Sequence, residues 1–142
     1  MGMPRDKDAK RFYIAARRRL DDANALLAAD HTTDHTTGSM YLAGYTVECM
    51  LKALIIAQAT STRKPEVLSE FRGSGAHNFD RLRAALLKLG GAKFPKDVVE
   101  SFLVVQEWGT DWRYDPAPRP ADDAESFLAS VTRIWECIDK RL

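Results

Sequence analysis

Apolar residues recur at three- and four-residue steps along most of the chain, the period of helices that bury one face. Over residues 6–29 the stripe is Phe12, Ala16, Leu20, Ala23 and Leu27. Alanine is abundant there, and glycine and β-branched residues are nearly absent, so propensity agrees with the pattern. Residues 30–38 are polar and rich in threonine and read as a loop. Ser39 has the side chain of an N-cap for a second helix over 40–59. In that helix Met40, Ala43, Val47, Met50, Leu51, Leu54 and Ile55 form a wide apolar face. Gly44 lies on the same side, where it would let a neighbouring helix come close.

Residues 60–78 are less regular, with room for one or two helical turns over 65–71 and a break at Gly73-Ser74-Gly75. A third helix is predicted to start at His77 or Asn78, to carry Phe79, Leu82, Leu86 and Leu89, and to stop at Gly90-Gly91. A fourth begins at Pro95 with Val98, Phe102 and Val105 on one face, and closes or kinks at Gly109-Thr110. The proline-rich segment 115–120 cannot be helical and reads as an extended linker. A last helix, 121–142, presents Phe127, Val131, Ile134, Trp135 and Ile138 as one stripe. No alternating strand pattern of useful length, internal repeat or low-complexity run is present. The expected fold is all-α: an antiparallel up-and-down bundle of four to five helices in a single domain spanning 1–142.

Composition narrows the function classes. A chain of 142 residues fits one domain, and 45% apolar residues suffice for its core without disulfides or metal. The formal charge of +1 argues against a dedicated nucleic-acid coat protein while leaving room for a small basic patch. Arg17-Arg18-Arg19 and the group Arg72, Arg81 and Arg83 are the local basic concentrations, and a solvated helix face is the simpler reading of such runs. Cys49 and Cys137 sit inside apolar helical patterns, away from any metal-binding spacing, and read as free thiols in a reducing compartment. No run of about 18 apolar residues and no leader-like N-terminus is seen, so a cytoplasmic location is expected.

Four groups of residues carry candidate chemistry. Glu48 and Lys52 stand at i,i+4 with the acid first, in a stripe with Tyr41 and Tyr45 beside the core face. The pair is either an ordinary helix ion pair or a half-buried one facing a polar cleft. Arg72 and His77 have a spacing suited to metal-independent RNA cleavage, histidine moving the proton and arginine holding phosphorane charge. The intervening Gly-Ser-Gly-Ala is loop-like, and a helix-start histidine bonded to backbone is the simpler reading. Trp108, Trp112, Arg113 and Tyr114 form an aromatic and cationic cluster able to stack a base, unless both tryptophans merely cap the bundle and Arg113 pairs with an acid. Asp30, His31, Asp34 and His35 have a weak metal-ligand spacing in a loop, and neither a metal nor a cofactor is expected.

Three of these segments also carry a resemblance. Ala43-Gly44-Tyr45-Thr46-Val47-Glu48-Cys49-Met50-Leu51-Lys52-Ala53-Leu54 resembles the second-helix signature of HEPN domains (higher eukaryotes and prokaryotes nucleotide-binding). His77-Asn78-Phe79-Asp80-Arg81-Leu82 and Trp112-Arg113-Tyr114-Asp115-Pro116 are similar to later elements of the sacsin-like branch, in the same order. The resemblance implies a helical bundle that usually dimerises. It implies nucleotide or RNA binding in a prokaryotic stress or defence setting of the toxin–antitoxin kind, with Glu48, Lys52, Tyr45, Arg113, Tyr114 and Trp112 as binding residues. Many members are ribonucleases with an Arg-x4–6-His motif. Arg72 and His77 fit that spacing, earlier in the chain than the family's usual place, which makes them the catalytic candidates. A third expectation is a non-catalytic interaction subunit, partnered by an antitoxin or a nucleotidyltransferase.

Overall fold

The computed structural model describes residues 2–29, 34–91 and 93–142. All their regular structure is helical, with no strand among them. Six helices follow in order: α1 (Lys7–Ala29), α2 (Thr36–Gln58), α3 (Lys64–Glu70), α4 (Phe79–Lys88), α5 (Lys96–Val105) and α6 (Ala121–Asp139). Two 3₁₀ turns, Ser74–His77 and Thr110–Tyr114, precede α4 and α6.

The α1/α2 pair is built on small residues. Ala9, Ala16 and Ala23, one every seven residues on α1, are wholly buried. On α2 the matching heptad positions are Ser39, Thr46 and Ala53, also wholly buried. The Ser39 hydroxyl donates to the Ala23 carbonyl (2.7 Å) and the Thr46 hydroxyl to the Ala16 carbonyl (2.9 Å). These two bonds set an antiparallel register that puts Ala53 opposite Ala9. Short side chains let the backbones approach, and the two hydroxyls are satisfied by carbonyls across the seam. Ser39 is therefore interior to α2. The helix begins at Thr36, three residues before the predicted cap, and no side chain caps it.

Helix α2 is the centre, with α1, α4 and α6 laid against it and α5 against α6. It is the one helix among the described residues long and apolar enough to cross a membrane, contrary to the expectation that no such run exists. Within the fold 78% of that window is buried.

The order of directions departs from strict up-and-down. Thr36 bonds to Arg119 at the start of α6 (2.8 Å), while Tyr13 near the start of α1 bonds to Asp139 at its end (2.8 Å). Helix α6 thus runs with α2 and against α1. Arg133 donates to Ser101 (3.0 Å) and Arg141 covers Phe94, so α5 opposes α6. His77, at the start of α4, meets Glu48 of α2, and Gly91, just after α4, lies against Gln58. Helix α4 therefore repeats the direction of α2. Residues 59–78 cause this: α3 and the first 3₁₀ turn carry the chain back along α2 before α4 starts. Lys64 anchors that return to Asp6 (2.7 Å) and Asp8 (3.0 Å) at the start of α1.

The other helix starts agree with the periodicity to within two residues, while α5 ends at Val105, before the predicted Gly109-Thr110, and α6 at Asp139 rather than 142. Asn78 caps α4, its side chain accepting from the Arg81 amide. Gly90 (φ +81°) ends the helix in the left-handed region that glycine tolerates. Phe127, Val131, Ile134 and Ile138 are buried along α6 as the stripe predicts, and Trp135, its fifth member, is only partly buried.

Candidate functional site

Glu48 and Lys52 are deeper than their spacing implies. Their side chains are only 6% and 5% exposed, and Lys52 Nζ lies 3.1 Å from Glu48 Oε2. The ammonium is further enclosed by the rings of Phe12 (5.7 Å) and Phe71 (5.2 Å), which bracket it as cation–π partners. An ion pair out of water is costly unless every lone pair is used. The second carboxylate oxygen, Oε1, accepts from His77 Nδ1 at 2.5 Å. A carboxylate only accepts, so the nitrogen facing it is the donor, and the other ring nitrogen has no hydrogen-bond partner among the described residues. His77 is 44% exposed and sits at the end of the Ser74–His77 turn, not in a helix.

From His77 an aromatic ribbon continues. The Tyr45 ring meets the imidazole edge to face (6.5 Å), and Tyr41 meets Tyr45 in the same way (5.2 Å) with their hydroxyls 2.8 Å apart. Burial and the Tyr41 hydroxyl hold the Tyr45 proton well above the usual phenol range. Arg113 extends the ribbon. Its guanidinium stacks over the Tyr114 ring (4.8 Å) and lines one hollow with Tyr41, and the two phenols hold it in the charged form, raising its pKa further. Tyr114 is 75% exposed.

Trp108 supports this ribbon from beneath. It is buried, stacked on Phe79 (5.2 Å), edge-on to Tyr45 (5.0 Å), and donates through Nε1 to the Tyr41 carbonyl (2.9 Å). Gly44 makes room for it: a Cβ there would stand 2.0 Å from Trp108 Nε1. The close approach expected at Gly44 is thus made by an indole rather than by a helix.

Of the residues singled out from sequence, Glu48, Lys52, Tyr45, His77, Arg113 and Tyr114 form one continuous line. Trp112 stands next to it, packed on Phe127 (5.7 Å) and covered by the Arg119 guanidinium (3.9 Å). Asp115 pairs with Arg119 (3.3 Å), and Arg113 has no acidic partner among the described residues. Arg72 is exposed and makes no side-chain hydrogen bond or ion pair there, to His77 or to any other residue. Asp30 and His31 lie outside the described residues. Asp34 and His35 are exposed at the start of α2, and no group of three metal-ligating side chains occurs among the described residues. Sequence reasoning missed Phe12 and Phe71 as walls around Lys52, since Phe12 read as part of the α1 stripe and Phe71 fell at the end of an irregular stretch. Tyr41 was detectable as the i,i+4 neighbour of Tyr45.

No family model, curated protein or solved structure matches this chain.

Proposed function

We propose that the protein is a HEPN-like module that binds RNA or a nucleotide along the ribbon from His77 to Tyr114. The observation that carries this reading is the meeting of three separate chain segments on one face. Glu48 and Tyr45 come from α2, His77 from the turn before α4, and Arg113 with Tyr114 from the turn before α6. The exposed Tyr114 ring and the half-buried rings of Tyr41, Tyr45 and Trp112 supply stacking surfaces for bases, and Arg113 supplies donors for phosphate oxygens. The +1 net charge makes this a local patch rather than a basic coat. In this reading the protein serves a prokaryotic stress or defence system and acts as a homodimer.

Fluorescence polarisation with short single-stranded RNA, alongside titration calorimetry with mononucleotides, tests the proposal. Arg113→Ala, at an exposed position, should weaken binding about tenfold and flatten its salt dependence by roughly one phosphate contact. Silence toward every ligand up to about 1 mM would sink the reading.

A second reading, metal-independent RNA cleavage, is favoured by the Glu48–His77 bond. A buried carboxylate that fixes one imidazole nitrogen and leaves the other open is an arrangement for general acid–base work. His77→Ala should then abolish RNA cleavage while sparing binding within a few fold. Cleavage unchanged by that substitution would remove His77 from any catalytic role.

A further inference from the structure

Away from the ribbon, α3 and α4 both rest on α2 and scarcely touch each other. Between them is a solvent-open cleft of about 590 Å³. Its floor is apolar, with Ile55, Val67 and Leu82 buried beneath it. Its two walls are of opposite sign. On the α3 side, where Arg63 stands at the helix start, Glu66 and Glu70 lie one helical turn apart and set the net sign, and Arg81 and Lys88 line the α4 side two turns apart. None of the four belongs to an ion pair among the described residues, so the rows face each other without meeting. Between Arg81 and Lys88 the α4 wall carries only Ala84 and Ala85, small enough for another backbone to come close. Two helices spaced apart on a third form the groove into which one more helix packs.

We propose that this cleft docks a short amphipathic helix of a partner protein. Its apolar face would sit on the floor, its acidic edge against Arg81 and Lys88, and its basic edge against Glu66 and Glu70. Such an occupant removes apolar floor from water and answers both rows at once, whereas a helix with two like-charged edges satisfies one row and is repelled by the other. The cleft also touches the turn that delivers His77. Gly73, Gly75 and Ala76 line one end of the cleft, and the Arg81 guanidinium lies against Gly75, where a Cβ would be 1.7 Å from Nη1. A carboxylate that engages Arg81 therefore acts on the Ser74–His77 turn, and docking is felt at the Glu48–His77 bond.

The probes are three designed helical peptides of about four turns with the same leucine face. One has a Glu edge and a Lys edge, one has Glu on both edges, and one has Lys on both. A peptide with exchanged edges is no control, because turning it end for end restores the match. Titration calorimetry with the full chain should show the mixed-edge peptide binding about tenfold more tightly than either single-sign peptide. Glu66→Lys with Glu70→Lys, both at exposed positions, should transfer the preference to the all-Glu peptide. Arg81→Glu with Lys88→Glu should transfer it to the all-Lys peptide. On binding, the His77 ring resonances should shift in the NMR spectrum. Equal affinity for the three peptides, no binding at about 1 mM, or a preference unmoved by either charge reversal would overturn the proposal.

Discussion

Lys52 has its charge answered by one carboxylate oxygen and its ammonium bracketed by the rings of Phe12 and Phe71. Removing its counter-ion leaves an ammonium out of water. Glu48→Ala should therefore cost about 3–5 kcal/mol, measured by urea unfolding. The double replacement Glu48→Leu with Lys52→Met, which removes both charges and keeps volume, should recover most of that loss. A cost under about 1 kcal/mol for Glu48→Ala would mean that water reaches the pair in solution. The i,i+4 order of Glu48 and Lys52 is legible in the sequence, but its depth is not. Burial depends on Phe12, 36 residues before Glu48, and on Phe71 in a short helical return that periodicity barely registers. His77 shows the same limit. Its position before a helix is legible, while its bond to Glu48 depends on where residues 59–78 lay the turn against α2.

Among the helices, the α1/α2 seam divides the stripe read from the sequence: its alanines, Ala16 and Ala23, are wholly buried and its large members are not. Phe12, Leu20 and Leu27 look like the core stripe of α1, yet they are only partly buried. The wholly buried line is Ala9, Ala16 and Ala23. Small residues carry a weak hydrophobic signal, but their value lies in how near they let α2 come. Ser39 and Thr46 complete the seam through hydroxyl bonds one heptad apart. Ser39→Ala and Thr46→Ala should each cost about 1 kcal/mol, because each leaves a buried carbonyl of α1 with one bond fewer. The two bonds share no atom or partner residue, so the double variant should lose the sum within about 0.5 kcal/mol. Urea unfolding of the four proteins checks this; a double variant no worse than either single one would show that one bond suffices to hold the seam. The turn signals were clearer. Asn78 as a cap and Gly90 at positive φ act through their own backbones, so local sequence is enough to place them.

The whole molecule should be least tolerant of alkali. Burial pushes the Cys49 thiol up to about 12. Burial, together with the hydrogen bond to Asp139, raises the Tyr13 phenol, and burial with the Tyr41 hydroxyl raises that of Tyr45. In each case the fold favours the neutral form, so the unfolded chain loses these protons first. The stability they contribute is whole below about pH 9 and drains away as the pH climbs through the raised values. The urea midpoint should be lower at about pH 10.5 than at about pH 8, and Cys49→Ala should narrow that gap. Asp6 acts at the other end. Lys64 holds its carboxyl below the usual range, so its contribution is present above about pH 4 and fades as the pH falls further. A midpoint that rises between the two alkaline conditions would contradict the burial of these groups.

By itself the sequence determined which stretches are helical, where most of them stop, and which large side chains of α2, α4, α5 and α6 turn inward, because period, propensity and caps act within a few residues of one another. Only the tertiary structure decided that α4 repeats the direction of α2, that Phe12, Leu20 and Leu27 stay partly open while Ala9 and Tyr13 join Ala16 and Ala23 in the interior, and that Lys52, Glu48, His77, the tyrosines and Arg113 form one continuous line. Those outcomes depend on contacts between segments tens of residues apart. Such contacts are selected by how helices fit together in space, and no local spacing encodes that fit.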